Sequence, residues 1–159
     1  MKKILIYLSS VFVVLLLLTI GVLEKSFSKE EHARQQAISL VSEYNVLKQV
    51  EEFYWYRGQT ETYTLYGRNN DNQLVYIVMD VKQNRGYVYH DAEIISRDAV
   101  MQRALNQYPS ATVRRVVLGL ENDRVIWELT YRLNGQYSYI VFDAKTGSVL
   151  HEIKNATNE

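Results

Sequence analysis

His32, His90 and His151 are the side chains in this sequence best suited to acid–base or metal chemistry. A zinc site needs several ligands at short recurring spacings, such as His-x-x-x-His or paired cysteines. These histidines lie far apart and the chain has no cysteine. Their spacing therefore points to solvated or strand-end positions. A serine nucleophile needs a sharp Gly-x-Ser-x-Gly elbow. That pattern is absent, as are glycine-rich phosphate loops. Asp80 and Asp143 come nearest to a carboxylate pair, because they occupy matching places in a repeated segment. An aspartate that opens a turn accepts hydrogen bonds from nearby backbone N–H groups. That role accounts for both residues without catalysis. The expectation is a non-enzyme with no catalytic residue, no metal ligand and no cofactor.

The compositional anomaly is tyrosine, with 13 residues. Several recur at i, i+2 and so share one face of a strand: Tyr54 with Tyr56, Tyr87 with Tyr89, and Tyr137 with Tyr139. The densest cluster is Phe53-Tyr54-Trp55-Tyr56-Arg57. Alternation puts Phe53 and Trp55 on one face and Tyr54 and Tyr56 on the other. One pair belongs to the core. Tyrosine and arginine are frequent interface anchors, so Tyr54, Tyr56 and Arg57 are the candidate partner-binding residues. Ordinary cross-strand packing is the competing account, and an aromatic platform also suits sugar rings.

The elements that must carry these residues come in two copies. Tyr76-Ile77-Val78-Met79-Asp80-Val81-Lys82 recurs as Tyr139-Ile140-Val141-Phe142-Asp143-Ala144-Lys145. Each copy begins with a helix. Ser28-Lys29-Glu30-Glu31 reads as a capping box, and Ala33, Ala37, Leu40, Val41 and Tyr44 form a stripe at helical spacing. The second helix starts at Ser96, with Asp98 in its first turn, and stops at Pro109. Its stripe is Val100, Met101, Ala104, Leu105 and Tyr108. Strands follow. Val125 to Leu133 alternates apolar and polar residues, Asn134-Gly135 marks a tight hairpin, and strands run on through Gln136–Asp143 and Ser148–Ile153. In the first copy, Asn69 to Asn72 and Gln83 to Gly86 take the turn roles. Each unit is a helix followed by three or four antiparallel strands, with His90 and His151 at corresponding strand ends. Only the segment Asp91 to Ile95 separates the copies, so they should pack as one body.

Ile4 to Leu23 is an uncharged apolar run of 20 residues, long enough for a helix to cross a hydrocarbon core of about 30 Å. Lys2 and Lys3 flank it on one side, which places the N-terminus in the cytoplasm and the rest outside. The run exceeds the core of a cleaved signal peptide and lacks a small-x-small site. A retained single-pass anchor is expected. Overall charge balances to zero, with no basic stripe, so nucleic acid is not an expected partner. The absence of cysteine favours a bacterial exterior. Few residues separate Leu23 from Ser28, so the first unit should stand close above the membrane.

Asp143, Lys145, Thr146, Gly147 and Val149, in a late strand and turn of the form apolar-Asp-x-Lys-Thr-Gly-x-Val, resemble the PepSY domain and its cystatin-like fold. In the first copy Asp80 and Lys82 are present but the Thr-Gly pair is not. With the short tail and anchor, the whole chain resembles the TseB (YpmB-like) family of Gram-positive bacteria. The resemblance implies an α+β fold of two tandem cystatin-like units behind a transmembrane helix. Its boundaries would be tail 1–3, anchor 4–23, first unit 24–92 and PepSY-like second unit 93–159. It also implies a role in regulating cell-wall elongation through contact with a penicillin-binding protein. Inhibition of an extracytoplasmic protease and glycan binding are the alternatives. Oligomeric state is left open.

Overall fold

A computed structural model describes residues 29–156. The apolar run 4–23 and Ser28 of the capping box lie outside the described residues. Among the described residues no helix is long and apolar enough to cross a membrane. The described residues fall into two compact units that divide after Gln36. In the first, Glu31 accepts a hydrogen bond from Gln35 and pairs with Arg34 at 3.6 Å. The second unit holds both sheets.

Helix α1 covers 29–42. Ala33, Ala37 and Val41 are its buried stripe, as the helical spacing predicts. Tyr44 departs from the expectation. The helix ends before it, Asn45 takes a left-handed φ of 50°, and the Tyr44 ring is 75% exposed.

The first sheet is an antiparallel meander of β1 (Gln49–Arg57), β2 (Glu61–Arg68), β3 (Leu74–Asp80) and β4 (Arg85–His90), in that spatial order. A short 3-10 turn, Asp91–Glu93, leads to α2 (Arg97–Gln107). The Ser96 side chain caps α2 by accepting from the Ala99 N–H, and the helix stops before Pro109, which cannot continue it. The second meander is β5 (Thr112–Glu121), β6 (Arg124–Leu133), β7 (Gln136–Asp143) and β8 (Val149–Ala156). The fold is α+β, with two antiparallel four-stranded sheets and few helices among the described residues. Polar residues that tolerate positive φ make the turns. Asn134 and Gly135 stand at φ 51° and 87°, and Asn122 and Asp123 at 51° and 58°, as two-residue hairpins demand.

Asp80 ends β3 and Asp143 ends β7, the third strand of each sheet. Both open turns. Asp80 Oδ1 accepts from the Gln83 N–H at 2.8 Å; Asp143 Oδ1 accepts from Lys145 and Thr146 at 2.9 and 2.8 Å. The histidines do not match in this way. His90 ends β4 opposite Val75, whereas His151 lies inside β8 opposite Val141. An irregularity between Val141 and Phe142 shifts the β7–β8 register, which breaks the correspondence expected from the repeat.

The two sheets meet along β5, and one hydrophobic core runs through the junction. Trp127 of β6 is its centre. The ring is fully buried, its Nε1 donates to the Ile95 carbonyl at 2.9 Å, and Tyr54 and Tyr76 of the first sheet meet it edge-on at 5.5 and 6.3 Å. Helix α2 packs on β5 and β6, and Tyr108 stacks on Tyr131 at 5.0 Å. The backbone edge of β5 would otherwise be open to strand pairing. Instead, Thr64 donates to the Leu118 carbonyl at 3.0 Å, and the Leu120 N–H donates to Thr62 Oγ1 at 3.3 Å. Both threonines are fully buried. These bonds satisfy groups that would be costly to leave unpaired.

Candidate interaction site

The register of β1 decides which of its aromatics can meet a partner. Tyr54 pairs with Thr64 and Tyr56 with Thr62, the same threonines that bond to β5. Tyr54 and Tyr56 therefore face the second sheet. They are only 7% and 2% exposed. Tyr54 donates to Glu52, and Tyr56 rests on Gly119. The expectation that Tyr54 and Tyr56 form a partner-binding patch is corrected here: they are core residues that join the two sheets. Burial, followed by the charges of Glu128 and Glu121, pushes the Tyr56 phenol up to about 12. Burial also raises Tyr54, with the Glu52 bond adding to the effect.

The opposite face of β1 is the accessible one. Phe53 and Trp55 are half-buried there, and Arg57 is exposed. The Arg57 guanidinium lies 4.5 Å over the Trp55 ring, while Trp55 Nε1 donates to Glu61 at 2.9 Å. Tyr63 sits beside both Phe53 and Trp55, with ring centroids 5.9 and 6.2 Å away. Of the three candidates from the sequence, only Arg57 lies on this surface. Strand alternation identified the two faces correctly; which face lay inward depended on where the second sheet packs.

A cleft of about 530 Å³ opens where the sheets meet, lined by Gln59, Glu121, Asn122, Arg124, Leu150 and His151. The β1–β2 turn supplies Gln59, the β5–β6 hairpin supplies Glu121, Asn122 and Arg124, and the edge strand β8 supplies Leu150 and His151. His151 Nε2 and Glu121 Oε2 are 2.9 Å apart. The glutamate side chain is 10% exposed and the imidazole 44%. Glu128 adjoins them. Val141 of β7 lies between Glu128 and His151 in the strand register, so the three form a row across the sheet. Burial raises the Glu128 carboxyl above its usual value. Arg115 opposes this, the like charge of Glu121 adds to it, and His151 opposes it. At the rim, Arg124 Nε is 3.8 Å from Asp143 Oδ2. Burial acts to raise the Asp143 carboxyl. The hydrogen bonds from Thr146 and Lys145, with the charge of Arg124, outweigh it and hold the group below its usual value.

The hairpin tip is held in place. Asp123 accepts from Arg85 of β4 at 2.8 Å, with the Tyr87 hydroxyl at 3.5 Å. The cleft walls thus belong to different sheets that are fastened together. Its lining offers amide, guanidinium and imidazole donors, an apolar wall at Leu150 and one recessed carboxylate, a set suited to holding a polar group. Among the described residues no group of three or more His, Asp or Glu side chains could hold a metal ion. The sequence singled out His151 but not its partner. The Asn122-Asp123 turn, the same left-handed chemistry as Asn134-Gly135, is the signal that places Glu121 at a strand end. His32 lies exposed in α1 and His90 exposed at the end of β4, so neither joins the cleft.

Two family models match the chain. Residues 36–80 match the cell wall elongation regulator TseB-like domain. Residues 94–152 match PepSY, the peptidase propeptide and YPEB domain. Among solved structures, the YpmB protein from Bacillus subtilis is similar at a TM-score of 0.64 and 22% sequence identity, over 76% of this chain and 95% of that one. At that identity the likeness speaks for the fold. No curated protein matches the chain.

Proposed function

This chain belongs to the TseB- and YpmB-like family of PepSY-domain proteins, and from that premise we propose that it is a membrane-anchored adaptor that regulates cell-wall elongation. Its two domain families are generally non-catalytic regulatory or inhibitor modules, and together they point to an extracytoplasmic interaction module. In this reading the segment 4–23 is the single-pass anchor, the N-terminus is cytoplasmic, and two cystatin-like units, 24–92 and 93–159, stand outside. The partner is a penicillin-binding protein, engaged close to the membrane. One observation carries the reading: the TseB-like and PepSY regions share one core, fastened by Thr62, Thr64, Tyr54 and Tyr56. A rigid surface spanning both regions loses little ordering entropy on docking.

In-cell crosslinking tests this directly, using a photoreactive residue placed at Trp55 or Arg57 or at the cleft rim. Capture of a penicillin-binding protein is the expected result. Capture of unrelated proteins alone, or labelling of these sites from the cytoplasmic side, overturns it. The PepSY description as a peptidase propeptide supports a second reading, inhibition of an extracytoplasmic protease. Loss of activity in a co-resident protease when the purified chain is added would favour it.

A further inference from the structure

The geometry points to the cleft between the sheets as a binding site for a carboxylate-bearing peptide segment, taken up together with a proton on His151. This deepens the interaction-module reading and rests on it.

The lining gives the polarity. Its one carboxylate, Glu121, is recessed, with one oxygen bonded to His151. Its accessible groups include donors: Arg124 is 57% exposed, His151 is 44% exposed and donates outward through its second ring nitrogen once protonated, and Gln59 and Asn122, whose amides carry N–H donors, are exposed beside them. An entering group meets those donors before it meets Glu121. Among the described residues Arg124 pairs only with Asp143, at 3.8 Å through Nε, beyond hydrogen-bonding distance. Asp143 Oδ1 is already taken by two turn amides. The terminal nitrogens of Arg124 thus remain able to take a carboxylate side-on, for which a guanidinium fork is well shaped. Leu150 offers an apolar wall to an aliphatic side chain next to that carboxylate.

The charges behind the cleft make the proton part of the binding. The charged groups around it are Glu121 and Arg115 on β5, Glu128 and Arg124 on β6, Asp143 at the end of β7 and His151 on β8, and the Tyr56 phenol on β1 feels the charges of Glu128 and Glu121. With His151 neutral, an added carboxylate meets the negative charge of Glu121 and Glu128. With His151 protonated, the Glu121–His151 pair is internally compensated and the ring becomes cationic. Binding and protonation therefore assist each other, and by linkage the effect is reciprocal. The cleft walls are already tied by Arg85–Asp123 and the threonine bonds, so the site is preorganised.

The test is calorimetric titration of the full-length chain in detergent with acetyl-Ala-Ala, which has a free C-terminal carboxylate, and with its amide-capped analogue. A third peptide, acetyl-Ala-Asp-Ala-amide, separates a side-chain carboxylate from a terminal one. Repeating the titration in buffers of different ionisation enthalpy reads proton uptake. At least one carboxylate peptide should bind about tenfold or more tightly than the capped analogue. Binding should strengthen at lower pH, with net proton uptake. Arg124→Ala should weaken it about tenfold, and His151→Gln should abolish the proton uptake. Both residues are exposed enough for the variants to fold, which circular dichroism would check. Equal affinity for capped and free peptides, no binding of either carboxylate peptide, or unchanged binding by Arg124→Ala overturns the inference. If peptide binding fails while in-cell capture of a wall enzyme persists, the cleft inference falls and the adaptor reading stands. If the peptides bind but no wall enzyme is captured, the cleft stands as a carboxylate site and the adaptor reading falls.

Discussion

The ring of Tyr56 rests on Gly119, so closely that a β-carbon at position 119 would lie 2.4 Å from Cγ of the ring. Tyr56 is on β1 of the first sheet and Gly119 on β5 of the second, and this contact sets how near the sheets can come. Gly119→Ala is therefore expected to push the ring, or the strand beneath it, out of place. Overpacking of this kind costs about 1–3 kcal/mol. Urea denaturation of the variant checks the figure; a midpoint equal to that of the wild type would show that the seam yields freely.

Replacing Tyr54 and Tyr56 by alanine should read as a stability defect. Each ring is nearly or fully buried, and removing a large core aromatic costs about 3–5 kcal/mol. On the outward face of β1, Arg57→Ala should leave the unfolding midpoint close to the wild-type value, and Trp55→Ala, which removes a half-buried ring packed on Tyr63, should cost clearly less than either tyrosine. Thermal denaturation of the four variants tests the assignment. A stable Tyr56→Ala protein would contradict the placement of that ring in the core.

Thr64→Val keeps the shape of the side chain but removes the hydroxyl that donates to the Leu118 carbonyl. Leaving a buried carbonyl without this donor should cost about 1–3 kcal/mol. Thr62→Val, which removes the acceptor for the Leu120 N–H, should behave alike. Faster amide exchange at Leu120 in the second variant is the specific sign. Unchanged exchange would mean that the edge of β5 is protected some other way.

Glu128 carries a pH signature. Burial chiefly raises its carboxyl above the ordinary 4.5, so the folded state holds that proton more tightly than the unfolded chain does. The stability this contributes is fully present below the unfolded value and is lost as pH rises through the raised folded value. Glu128→Gln should remove the dependence and leave the protein more stable than the wild type near neutral pH. Denaturation of both proteins at about pH 4 and about pH 7 isolates the effect, because the other titrating groups are common to the pair. A less stable variant at neutral pH would mean that attraction to Arg115 and His151 outweighs burial.

The sequence alone determined a good deal. Its turns were legible because Asn134-Gly135 and the aspartates at 80 and 143 act through their own backbone neighbours. Helix α2 was legible from Ser96 and Pro109, and the two faces of β1 from strict alternation, all interactions within a few residues. Tertiary structure decided the rest. Nothing local distinguishes Tyr54 from Trp55, since either face of a strand accepts an aromatic; the side on which β5 docks makes the tyrosines core and leaves the tryptophan outside. The pairing of His151 with Glu121 joins residues far apart in sequence and depends on the shifted register of β8, which no periodicity in the chain records. The cleft likewise exists only because two sheets, each readable alone, meet at an angle and distance set by Gly119, Thr62 and Thr64.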